Sequence, residues 1–166
     1  WHFARVARMT ELAVAVLEEL SARGLTLATV ESCTGGMVAA ALTDIPGSSA
    51  VVDRGFVTCS NAAKAERVGV PRAVIEPHGA VSSEVAVAMA EGALSRCPAD
   101  VAIAITGIAG PGGSDFKPEG LVWFCASSRN GASVSVVREY GPIGRGNVRA
   151  KSVEQALSMV LEMAAR

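Results

Sequence analysis

The chain has 166 residues, 50% of them in the apolar set AVILMFWYC, 19% charged and 4% aromatic, which fits one compact globular domain of ordinary size. Its 15 Lys and Arg against 16 Asp and Glu leave a net charge of −1. That balance excludes a global basic field for holding polyanions, and the uncharged apolar runs fall short of the ~20 residues of a membrane-spanning helix.

Residues 1–9 read as an N-terminal extension, with Met9 a candidate native start ahead of a single domain over residues 10–166. Leu12, Val16, Leu17 and Leu20 recur at helical spacing, so a helix is predicted from Thr10 to Arg23, stopped by Gly24. Leu25 to Val30 has the short apolar run of a buried strand, leading into Glu31-Ser32-Cys33-Thr34-Gly35-Gly36. An alanine-rich helix follows to about Thr43. Val51 to Cys59 is predicted as a second strand, bulged or at an edge because of Asp53-Arg54-Gly55. Ser60 caps a short helix through Val68, and Ser82 or Ser83 caps another to about Arg96, with a turn at Glu76 to Ala80 between them.

Val101 to Thr106 is the most strand-like segment. Gly107 to Gly120 then holds five Gly and two Pro in 14 residues, a long loop rather than a regular element. Leu121 to Ser127 and Ser133 to Glu139 flank Arg129-Asn130-Gly131 as a hairpin, and a last helix runs from about Asn147 to Ala165. This order predicts a three-layer α/β/α sandwich with a mixed, mostly parallel sheet.

Chemistry is bounded by scarcity. Two histidines, His2 and His78, and four scattered cysteines, Cys33, Cys59, Cys97 and Cys125, offer no metal-ligand spacing. No metal site is expected, and unpaired thiols fit a reducing cytoplasm. The strand-to-helix turn at Ser32 to Gly36 and the loop from Thr106 to Gly113 both leave strands at the carboxyl end, where α/β sheets place their ligand crevices. Glycines and helix amides there suit a phosphate or an oxyanion. Only Lys64, Lys117 and Lys151 stand against 12 arginines. Lys64, in the first turns of a helix after a strand, would serve as a base if it pointed at Ser32, although a solvated lysine is the commoner outcome of such a pattern. His78 ranks below it, and Asp115, Lys117 and Glu119 read as solvating residues of the glycine loop.

The motifs accumulate. Glu31-Ser32-Cys33-Thr34-Gly35-Gly36, Pro46-Gly47-Ser48-Ser49, Arg54-Gly55-Phe56-Val57-Thr58, Ser60-Asn61 with Lys64, His78-Gly79-Ala80-Val81-Ser82, Thr106 to Gly113, Lys117-Pro118-Glu119-Gly120 and the pair Arg145 and Arg149 occur in this order. Together they closely resemble the CinA C-terminal domain family over Thr10 to Ala165. The resemblance implies a nicotinamide mononucleotide deamidase, an amidohydrolase of pyridine nucleotide salvage that needs no cofactor, here in a stand-alone form. It implies Ser32 as nucleophile, Lys64 as general base, and Thr106, Gly107 and Arg145 in the substrate pocket, to which the glycine-rich turn adds Thr34, Gly35 and Gly36 as candidate substrate-binding residues. A tyrosine commonly precedes the Ser-Asn pair in the family, and here the position is Cys59. A homo-oligomer acting on a small mononucleotide is expected, without direct nucleic-acid or membrane partners. The alternative is a non-catalytic nucleotide-binding or interaction module linked to competence or DNA damage, as the family's historical name suggests.

Overall fold

Every residue from Val101 to Thr106 is buried, as in a strand covered on both faces. This segment forms the middle of a five-stranded sheet in the computed structural model, which describes all residues except Trp1 and Asp115, and only the backbone of His2. In chain order the elements are α1 (His2–Arg23), β1 (Leu27–Glu31), α2 (Met37–Thr43), a 3-10 turn (Ser48–Ala50), β2 (Val52–Val57), α3 (Asn61–Val68), α4 (Arg72–His78), α5 (Ser83–Ser95), β3 (Val101–Gly107), β4 (Leu121–Ser128), β5 (Ser133–Glu139) and α6 (Arg145–Ala164).

The strand order is β2-β1-β3-β4-β5. β2, β1 and β3 pair in parallel, and the β4–β5 hairpin continues the sheet with two antiparallel pairings. Four strands therefore share one direction and β4 opposes them. β2 lies at one edge, and its register with β1 slips between Leu27 and Ala28, so the Asp53-Arg54-Gly55 interruption marks both an edge and an irregularity.

Alternation along the strands sorts the core into two layers. Leu27, Ile103, Ile105, Val122 and Phe124 pack with α1, α2 and α6, whereas Ala28, Val30, Ala102, Ala104 and Cys125 pack with α3, α4 and α5. The second face carries small side chains, which lets α5 lie close to the sheet. Contact between helices on that side is closer still: a Cβ at Gly92 of α5 would sit 1.7 Å from the carbonyl oxygen of Val68, the last residue of α3. The predicted α/β/α layering and mixed sheet are thus the architecture the chain adopts.

Several boundaries differ from the sequence reading. α1 begins at His2 rather than Thr10, because Phe3 to Arg8 contains no breaker and continues the same helix. β1 starts two residues late and extends through Glu31. Residues 72–78, expected to lead through a turn, form α4; Pro71 supplies the extended N-cap and Gly79, at φ +75°, ends the helix just beyond Pro77. α6 begins at Arg145, which places that arginine in the first helical turn.

The parallel strands β2, β1 and β3 end at the same edge of the sheet. Ser32 follows β1, Lys64 lies on the helix after β2, and Thr106 and Gly107 close β3. One crevice therefore receives three chain segments distant in sequence.

Candidate active site

Ser32 is presented by a turn, not by a helix N-terminus. Five residues, Ser32 to Gly36, separate β1 from Met37, and the turn needs left-handed backbone at two successive positions, Gly35 at φ +60° and Gly36 at φ +105°. The Glu31 carboxylate, fully buried, accepts the Thr34 hydroxyl at 2.6 Å and the α2 amides of Val38 and Ala39 at 2.9 and 3.1 Å. The helix amides expected to face a ligand are thus occupied by the protein's own carboxylate. Thr34, Gly35 and Gly36 lie outside the cleft described below, and what they shape is the Ser32 turn. The Ser32 amide donates to the Ile105 carbonyl at 3.0 Å, which extends the β1–β3 pairing by one residue.

Lys64 meets this turn from α3. Its side chain is 1% exposed, its Nζ lies 3.1 Å from Ser32 Oγ, and it donates to the Thr58 carbonyl at 2.7 Å. The helix that carries it is capped by Ser60, whose hydroxyl accepts the Ala63 amide at 3.0 Å. Burial pushes the Lys64 ammonium below its ordinary value, against an opposing influence of Cys59 and Cys33. A lysine with a lowered pKa touching a serine hydroxyl is equipped to take its proton. Cys33, beside Ser32, is the opposite case: burial pushes its thiol up to about 12, so it stays protonated and weakly nucleophilic.

Both side chains line a cleft of about 390 Å³, within the range of small-ligand sites. Its far wall is the loop from Gly107 to Ser114, ordered by contacts the sequence did not announce. Glu119 accepts the Gly112 amide at 3.0 Å, and Ser114 and Lys117 exchange backbone hydrogen bonds at 3.0 and 2.8 Å. The Lys117 ammonium crosses to the α4–α5 turn and donates to the carbonyls of His78, at 2.6 Å, and Val81. Lys117 and Glu119 therefore fasten the loop rather than solvate it; Asp115 lies outside the described residues. Arg145 donates to the Gly110 carbonyl at 2.7 Å from the start of α6. The Thr106 hydroxyl is committed to the Ala80 carbonyl at 2.8 Å.

The cleft thus brings together Ser32, Lys64, Thr106, Gly107 and Arg145, and adds Cys59, Asn61 and Lys117. Lys117 and Arg145 bring two cations to the cleft, beside Lys64 whose ammonium burial disfavours, and among the described residues no carboxylate lines it. A locally positive pocket sits in a chain of net charge −1. His78 stands apart, half exposed and 3.8 Å from Glu84. Lys117 was reachable in principle from the sequence, as one of three lysines placed in a glycine-rich loop. Asn61 was signalled by the Ser60-Asn61 motif of the family resemblance, though not as a residue of the site.

A family model described as the CinA C-terminal domain matches residues 9–164 of the chain. The nicotinamide-nucleotide amidohydrolase PncC of Escherichia coli strain K12 is 48% identical over 152 residues, which make up 91% of this chain and 92% of that protein. The protein of the same name from Enterobacter agglomerans is 48% identical over 134 residues, 80% of this chain and 82% of that one. Among solved structures, the competence/damage inducible protein CihA from Agrobacterium tumefaciens aligns with a TM-score of 0.92 at 48% identity, over 96% of each chain.

Proposed function

The chain belongs to the CinA C-terminal domain family, and from that premise we propose that it is a nicotinamide-nucleotide amidohydrolase, converting nicotinamide mononucleotide to the acid and ammonia. The amidohydrolase name of relatives 48% identical over most of their length supports this reading. The observation that carries the chemistry is the buried Lys64 Nζ, 3.1 Å from Ser32 Oγ.

Amide hydrolysis requires a nucleophile, a proton shuttle and donors at the developing oxyanion. Ser32 Oγ attacks the carboxamide carbon as its proton passes to neutral Lys64. The tetrahedral adduct collapses, the C–N bond breaks, and Lys64 returns the proton to the departing nitrogen, which leaves as ammonia. Water then cleaves the Ser32 ester by the same proton path and frees the carboxylate. Amides of the glycine loop that lines the same cleft, other than those of Ile108, Gly112 and Ser114, which pair within the protein, are the donors to the oxyanion, and Arg145 and Lys117 hold the phosphate. Cys33 takes no part, because its thiol stays protonated. The contact of a desolvated lysine with a serine hydroxyl favours catalysis over a binding module.

We place this activity in the cytoplasm, where the four free thiols remain reduced. Among the described residues no helix is long and apolar enough to cross a membrane. The substrate is a small anion rather than nucleic acid, and a homo-oligomer is expected through the β4–β5 hairpin, whose outer strand is a sheet edge with Val137 exposed.

The test is ammonia release from a panel of nicotinamide mononucleotide, the riboside lacking phosphate, and the dinucleotide. The mononucleotide should be the preferred substrate, and Ser32→Ala should lose roughly 10³-fold or more of kcat with the fold intact. An unaltered protein that releases no ammonia from any of them would refute the reading.

A further inference from the structure

We propose that Glu31 and Arg149 are positioning residues that grip the Ser32 turn from its two sides and hold the hydroxyl at Lys64. This inference rests on the assignment of Ser32 as nucleophile. Neither side chain lines the cleft, so each acts through Ser32 rather than on the substrate.

The turn has a donor side and an acceptor side. On the donor side, the Glu31 carboxylate takes the Thr34 hydroxyl and the first two free amides it can reach on α2. On the acceptor side, Arg149 reaches across from α6 and donates to the carbonyls of Cys33 at 3.1 Å and Thr34 at 3.4 Å. The fit there is close, because a Cβ at Gly35 would stand 3.3 Å from the Arg149 guanidinium. Thr34 is held by both groups at once, through its hydroxyl and through its carbonyl.

Charge-assisted hydrogen bonds of this kind are roughly twice as strong as neutral ones, and a fully buried carboxylate is costly unless hydrogen bonds such as these three satisfy it, so Glu31 and the turn hold each other in one arrangement. The effect is geometric. The backbone of Ser32 is fixed to the sheet on one side only, by its amide on Ile105, and from Cys33 to Gly36 the chain leaves regular structure. Within the turn the Gly35 amide donates to the Ser32 carbonyl at 3.1 Å and the Met37 amide to the Thr34 carbonyl at 3.0 Å; without the clamp only local bonds such as these would hold a segment that contains two glycines. A displacement of about 1 Å at the reacting atom costs on the order of 10² in rate.

Two readouts on intact protein test this. One is steady-state ammonia release; the other is the rate at which a sulfonyl fluoride forms an adduct at Ser32, with the Oγ–S bond made, fluoride expelled and the serine proton lost. Mass spectrometry counts the adduct, and this second rate needs no substrate. Glu31→Gln and Arg149→Met should each lower kcat and the labelling rate by roughly 10- to 100-fold with KM within about twofold, the size expected of a misplaced nucleophile. In the double variant the two losses should not multiply, because both act through one turn. Arg149→Lys, able to offer a single N–H to Cys33, should recover part of the rate.

Unchanged labelling and kcat in both single variants would overturn the proposal, as would a rise in KM with kcat intact. Should Glu31→Gln fail to fold, the Arg149 pair decides alone. Failure of the substrate assignment shows itself separately: ammonia release is then absent while labelling still reports the clamp. An unaltered protein with no adduct at Ser32 would overturn the nucleophile assignment and the clamp with it.

Discussion

At the scale of single residues, the protein places a lysine where lysines are rarely found. Burial at 1% exposure is unfavourable to the ammonium, and the lowered pKa ties catalysis to stability. The folded state prefers Lys64 neutral, so between the lowered folded value and the ordinary 10.5 the unfolded chain binds more protons. Stability from this group is therefore complete above the ordinary value and is lost as pH falls through the folded one. kcat/KM should rise with pH through that same folded value, since only neutral Lys64 accepts the serine proton. Lys64→Met should abolish that limb by losing roughly 10³-fold or more of kcat. The difference in melting temperature between variant and unaltered protein should also change across this pH range, a comparison calorimetry makes directly. A difference that stays constant with pH would show that Lys64 titrates as an ordinary lysine. Lys64 was legible in the sequence as a candidate because lysines and histidines are scarce there. Glu31 was not, because its role depends on the path of the turn that follows it.

At the scale of elements, the position of α3 decides whether Lys64 reaches Ser32, and α5 sets that position at Gly92. Glycine to alanine inside a helix ordinarily stabilises by about 1 kcal/mol. At Gly92 the sign reverses, because the added methyl would meet the Val68 carbonyl at 1.7 Å, and overpacking of a tight contact costs about 1–3 kcal/mol. Gly92→Ala should lower the melting temperature by several degrees, at roughly 2–4 °C per kcal/mol for a chain of this size. It should also lower kcat, since α3 must shift to relieve the clash. A melting temperature raised by the substitution would contradict the packing described. Periodicity located α5 and α3 but could not show that they cross at Gly92. The same limit hid α4, whose seven residues lie between Pro71 and Gly79 and read as punctuation.

At the scale of the whole molecule, a net charge of −1 coexists with a cleft carrying two cations, Lys117 and Arg145. Their field is local, so an anionic substrate should feel it strongly only inside the cleft, where screening by salt is weaker than at the surface. Arg145 keeps one guanidinium nitrogen on the Gly110 carbonyl and offers the rest of the fork to the pocket. Hydrogen bonds to charged groups contribute about 1.5–3 kcal/mol, so Arg145→Met should raise KM by roughly tenfold or more. The effect on kcat should be smaller, and added salt should raise the KM of the unaltered protein more than that of the variant. Steady-state kinetics at two ionic strengths check this. Equal KM values in both proteins would remove Arg145 from substrate binding.

The sequence by itself determined the layer architecture and the order of most elements, and it singled out Ser32 and Lys64 as candidates, for a physical reason. Hydrophobic period, caps and breakers are local properties, and an unusual shortage of bases is visible in composition alone. Only the tertiary structure decided which groups line the cleft. It gave the α2 amides to Glu31, turned Lys117 and Glu119 into fasteners of the glycine loop, and brought Arg149 from 115 residues away to the Thr34 carbonyl. Each of these is a competition between partners for one donor or acceptor, and its outcome depends on distances between chain segments that no spacing along the sequence encodes.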